Sequence, residues 1–121
     1  MEIAKTGPRI VVRKSVFIGS VIPVSDEKTA RELAKEIKRG KRKAAHIAFA
    51  FRIAGNPVKE GMSDNGEPRG TAGLPILMLL RYRQITDIMI TVTRYWGGTK
   101  LGPGNLKRAY RDAALKALET V

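Results

Sequence analysis

From His46 to Ile53 the chain alternates without a break: Ile47, Phe49, Phe51 and Ile53 fall on one side of an extended segment, His46, Ala48, Ala50 and Arg52 on the other. A period of two is the mark of a strand with one strongly apolar face, and that face needs a second layer to cover it. The period changes elsewhere. Residues 9–24, RIVVRKSVFIGSVIPV, are β-branched and predict two strands or one long bent pair, divided at Gly19 or at the Lys14–Ser15 step. Ser25 or Asp26 then offers an N-cap to a segment in which Ala30, Leu33, Ala34 and Ile37 recur at helical spacing before Lys38, Arg39 and Gly40. Turn formers fill Gly55 to Pro57 and Gly61 to Gly70, a long loop. Gly70 or Thr71 opens a second helix, with Pro75 in its first turn and Ile76 to Leu80 apolar on all sides and so buried. Asp87 to Tyr95 is apolar on both faces, as a central strand is, and the last helix carries Leu106, Tyr110, Ala113 and Ala117 inward. The order β-β-α-β-α-β-α predicts one two-layer α+β domain over residues 1–121.

Charge narrows the function. Lys and Arg number 23 against 11 Asp and Glu, a formal charge of +12. Such a field attracts nucleic acid, anionic membrane or acidic proteins, or serves solubility alone. With no Cys there is no disulfide, thiol nucleophile or thiolate metal site, in keeping with a reducing cytoplasm. No apolar run approaches the ~20 residues that cross a bilayer, and the start of the chain does not read as a secretory signal.

Two strings place glycines directly before a helix: SDNGEPRGTAG, and WGGTKLGPGN with Gly97, Gly98, Gly102 and Gly104. Free amides and the positive dipole end there favour an anion such as phosphate, with Arg69, Arg94 and Lys100 to reinforce it. The competing reading is that the glycines serve tight turns and close packing. His46, Asp64 and Glu67 are candidates for acid–base work, against the alternative that Asp64 or Asn65 caps a turn and Glu67 pairs with an arginine. Lys38, Arg39, Lys41, Arg42 and Lys43 form a cationic cluster suited to a nucleic-acid backbone or simply to solvent, and Tyr95 and Trp96 are rings that either stack on a base or pack.

His46, DNGEPRGTAGLPIL at Asp64 to Leu77 and VTRYWGGTKLGPGNLKRAY at Val92 to Tyr110, with Lys14, Ser15 and Phe17, resemble the IMPACT family and its bacterial YigZ-like members. The likeness covers nearly the whole chain. It departs at Asn65, where the family usually has a second Asp, and at Asn105, where it usually has Gly. The resemblance implies a fold similar to the second domain of ribosomal protein S-five: a four-stranded sheet with helices on one side. It also implies association with RNA or the ribosome and, by way of eukaryotic members, a link to translational control. The ferredoxin-like domain that follows in bacterial relatives and the RWD domain that precedes in eukaryotic ones are not expected within these 121 residues.

The combined expectation is a cytoplasmic module that binds RNA or the ribosome. Phosphate contacts are expected from Lys41, Arg42, Lys43, Arg69, Arg94, Lys100, Lys107 and Arg108, glycine amides at Gly97, Gly98, Gly102 and Gly104, and stacking from Tyr95 or Trp96. The alternatives are an enzyme acting on a nucleotide or phosphorylated metabolite through His46, Asp64 and Glu67, and a module meeting an acidic protein. No resident cofactor is expected; Mg²⁺ held with a bound phosphate belongs to the enzyme reading alone.

Overall fold

A computed structural model describes residues 4–121. The chain runs β1 (Lys5–Val12), β2 (Ser15–Pro23), α1 (Glu27–Gly40), β3 (His46–Ile53), β4 (Lys59–Ser63), α2 (Gly73–Tyr82), β5 (Ile88–Tyr95) and α3 (Pro103–Leu118). The five strands form one sheet in the order β1-β2-β5-β3-β4, antiparallel throughout. The strand read as apolar on both faces is the central one, paired with β2 on one side and β3 on the other.

Alternation sorts the side chains into two cores. Phe17, Val21, Ala48, Ala50, Ile90 and Val92 face α2 and α3, which return Ile76, Leu80, Leu106, Tyr110, Ala113 and Ala117. The residues between them, Ile22, Phe49, Phe51, Ile53 and Met89, face Ala30 and Ala34 of α1. Burying each large aliphatic or aromatic side chain contributes about 1.5–3 kcal/mol, so neither face of β3 or β5 can be left to water. Small residues let α3 come close: a Cβ at Gly19 would lie 2.4 Å from the Ala113 carbonyl oxygen.

The α+β class is as expected, with two differences of layout. The sheet has a fifth strand, β4, where a loop was expected. The sequence of β4, KEGMS, has little strand propensity; pairing with β3 holds it, helped by Gly61, whose Cβ would lie 2.3 Å from the Phe51 ring. Charge and glycine suit such an edge, and Glu60 bridges Arg52 and Arg81 at 2.9 and 2.6 Å. The helices also lie on both faces, because Phe49 and Phe51 point away from α2 and α3 and α1 covers them.

Other boundaries have local causes. The first two strands part at Arg13 and Lys14, both in the left-handed region at φ 46° and 71°. Asp26 caps α1, accepting the Thr29 N–H at 2.7 Å, and that bond holds its carboxyl below the usual range. Helix α2 begins at Gly73, later than expected, and is not buried all round: Leu74 and Met78 are exposed. Among the described residues no helix is long and apolar enough to cross a membrane.

Candidate functional site

Residue 94 shares the parity of Ile90 and Val92, so β5 ends by directing Arg94 into the layer beneath α3. It is 3% exposed there, and Glu67, delivered by the loop before α2, is 7% exposed. Arg94 Nη1 donates to both Glu67 oxygens, at 3.0 and 2.9 Å. Tyr110 on α3 donates its hydroxyl to Glu67 Oε2. Burial, then the Glu67 carboxylate, pushes the Tyr110 phenol far above its ordinary value, so it remains a donor. Ser15, opening β2, accepts from Gly97 N–H at 3.1 Å and from Arg94 Nη2 and Nε at 3.3 and 3.4 Å. The guanidinium lies over two rings, 5.5 Å from the centroid of Phe17 and 5.1 Å from that of Trp96. His46 is half-buried at the edge of this cluster, Nε2 3.5 Å from Glu67 Oε1 and Nδ1 3.1 Å from the Asn65 carbonyl. Among the described residues no buried side-chain polar atom lacks a partner.

This arrangement corrects the expectation for Arg94. Its donors are engaged inside the protein, so it does not present itself to an external phosphate. Ser15 and the hydroxyl of Tyr110 are the members that sequence reasoning missed. A tyrosine on the inward stripe of a helix is the signal that was available, since a buried hydroxyl needs a partner.

Asp64 has a comparable fate. Its Oδ2 accepts the N–H of Gly70 at 2.9 Å, and its Oδ1 accepts those of Ala72 and Gly73 at 3.1 and 2.9 Å. The anion expected at the start of α2 is therefore the chain's own carboxylate, serving as a cap from outside the helix. With Glu67 tied to Arg94, neither acid offers a free pair of oxygens to a cation, and among the described residues no group of three His, Cys, Asp or Glu gathers as metal ligands. The structure favours the turn-capping and arginine-pairing alternatives for these two residues.

The second glycine loop divides. A Cβ on Gly97 would sit 2.2 Å from the Lys14 carbonyl carbon, so this glycine lets the chain leaving β5 pass the β1–β2 turn. Gly98 and Gly102 have φ of 91° and 80°, which a side chain rarely adopts. Gly104 has neither constraint: nothing lies within 4 Å of its Cβ position. Gly97→Ala should therefore destabilise the domain by about 1–3 kcal/mol, while Gly104→Ala, inside a helix, should be neutral or gain about 0.5–1 kcal/mol. Paired denaturant melts check this; equal losses would mean that the loop is not held as described.

Several of the exposed cations line two recesses. One, of about 340 Å³, is lined by Lys38, Lys41, Arg42, His46 and Gly66, with exposed Lys43 beside it in sequence. The other is a groove of about 700 Å³ between α2 and α3. Gly70, ahead of α2, and Gly104, in the first turn of α3, both line it, and Lys107 and Arg108 stand on its α3 wall. Arg69 and Lys100 are exposed, Trp96 is 52% exposed, and Tyr95 is half-buried, which makes Trp96 the ring better placed to stack on a ligand.

Residues 13–118 match the family model described as the Impact N-terminal domain. The chain is 41% identical over 112 residues to the IMPACT family member YvyE of Bacillus subtilis (strain 168), covering 93% of this chain and 52% of that protein. It is 34% identical over 110 residues to the IMPACT family member YigZ of Escherichia coli (strain K12), covering 88% and 53%. The chain thus spans about half the length of these curated relatives. A crystal structure titled only as that of a hypothetical protein superposes with a TM-score of 0.86 at 30% identity, over 98% of this chain and 61% of that one. The two-domain translational regulator Yih1 shares the fold, with a TM-score of 0.64 at 24% identity over 94% and 46%. The strings that converge on Glu67 lie within the matched segment, and the chain belongs to the IMPACT family through its N-terminal domain.

Proposed function

We propose that this domain is a cytoplasmic binding module that engages RNA or the ribosome and takes part in the control of translation. The observation that carries the reading is the division of charge. Glu67 and Arg94 are drawn inside and Asp64 is bound to amides, while Lys41, Arg42, Lys43, Lys100, Lys107 and Arg108 stand in solvent on a chain of net charge +12. Surface cations of this kind bind a phosphate backbone by releasing its counterions. Trp96 adds a ring beside Lys100 in the same loop. Yih1, a translational regulator of similar fold, supports the regulatory part. The enzyme reading is weaker, because both of its carboxylates already have partners.

The test is a salt titration of binding to a fluorescent RNA hairpin. Affinity should fall steeply as salt rises, and Lys41→Ala, Arg42→Ala and Lys43→Ala together should flatten the log–log slope by about 2, at roughly 0.7–0.9 per lost phosphate contact. Absent binding near ~50 mM salt, or a slope indifferent to those substitutions, would overturn the proposal.

A further inference from the structure

The groove between α2 and α3 has two unlike walls. On α2, Leu74, Met78 and Tyr82 recur every fourth residue and are 37%, 50% and 85% exposed, a stripe of large apolar side chains left in water. On α3, Lys107, Arg108 and Arg111 follow one another on the facing stripe. Asp112 pairs with Arg111 at 3.1 Å, and the wall remains cationic. A phosphate backbone would satisfy the α3 wall and leave the α2 wall wet. A helix with an apolar face and an acidic edge would satisfy both. Length agrees: α2 has 10 residues, about 15 Å of wall, and a partner helix of two to three turns spans it.

We infer that this groove docks an acidic amphipathic helix of a partner protein, its apolar residues against Leu74, Met78 and Tyr82 and its carboxylates toward Lys107, Arg108 and Arg111. A second copy of this chain fits poorly, since two molecules of charge +12 repel. The inference goes beyond RNA binding: it assigns Lys107 and Arg108, counted above among the solvent cations, to the partner helix and leaves the separate Lys41–Lys43 cluster to RNA.

The probe is a labelled helical peptide with Leu at i, i+3, i+4 and i+7 and Glu elsewhere, titrated with the whole chain and compared with the same peptide bearing Lys for Glu and with an all-Glu peptide. The Leu/Glu peptide alone should bind. Met78→Glu, at a half-exposed position, should weaken it at least about tenfold with an unchanged circular dichroism spectrum. Lys107→Glu, Arg108→Glu and Arg111→Glu together should exchange preference to the Leu/Lys peptide. Equal binding of the all-Glu peptide, or indifference to Met78→Glu, would overturn the inference. So would self-association abolished by Met78→Glu, which assigns the groove to a second copy, or a tenfold loss of hairpin binding in that variant, which assigns it to RNA. The Lys41, Arg42 and Lys43 substitutions should leave peptide binding intact, so failure of one reading is distinguishable from failure of the other.

Discussion

Glu67→Ala is expected to lower stability by about 3–5 kcal/mol, because it leaves the Arg94 guanidinium buried without a counter-charge. The same change takes the acceptor from Tyr110 and one neighbour from His46. Against the 5–15 kcal/mol that domains of this kind possess, much of the population would unfold on modest heating. The controls separate charge from volume. Glu67→Gln keeps an oxygen for Tyr110 and should fall between wild type and alanine. Glu67→Leu combined with Arg94→Met removes both charges and should be less damaging than either single change, since an apolar pair of similar volume often replaces a buried ion pair without loss. Urea unfolding monitored at Trp96 reads all of them. A loss below about 1 kcal/mol for Glu67→Ala would place the pair in solvent, contrary to the geometry described.

Asp64→Ala should cost about 2–4 kcal/mol, since three amides lose a charged acceptor at once. Asp64→Asn retains one carbonyl oxygen and should lose about half as much. Hydrogen exchange locates the effect: the amides of Gly70, Ala72 and Gly73 should exchange faster in the alanine variant, while those of β5 should change only with global stability. A metal-binding or acid–base role predicts the opposite pattern, with stability unchanged and those three amides unaffected.

These effects bear on how far the site could be read in advance. The convergence of His46, Glu67, Arg94 and Tyr110 explains why their strings stand out among otherwise ordinary segments: each contributes one polar group to a single buried cluster. Their roles were less legible. Arg94 has the composition of a phosphate ligand beside glycines and aromatic rings, and only the approach of Glu67 from 27 residues away in the chain makes it internal. The glycines divided in the same way, Gly97 by a 2.2 Å backbone approach and Gly104 by open space, though both belong to one glycine-rich string. Strand β4 carried no period of its own, so nothing in its five residues announced it.

The sequence by itself determined the elements whose signals are local: the alternation of β3, the doubly apolar β5, an N-cap at Ser25 or Asp26 ahead of α1, the inward stripe of α3, and the large excess of positive charge. Spacing along a helix or strand decides which side chains share a face before any partner exists. Tertiary structure alone decided that α1 covers the far face, that β4 pairs with β3, and which charges are internal. Whether a charge meets a ligand or a neighbouring side chain depends on desolvation and on distances of about 3 Å across the fold, quantities that residue order does not contain.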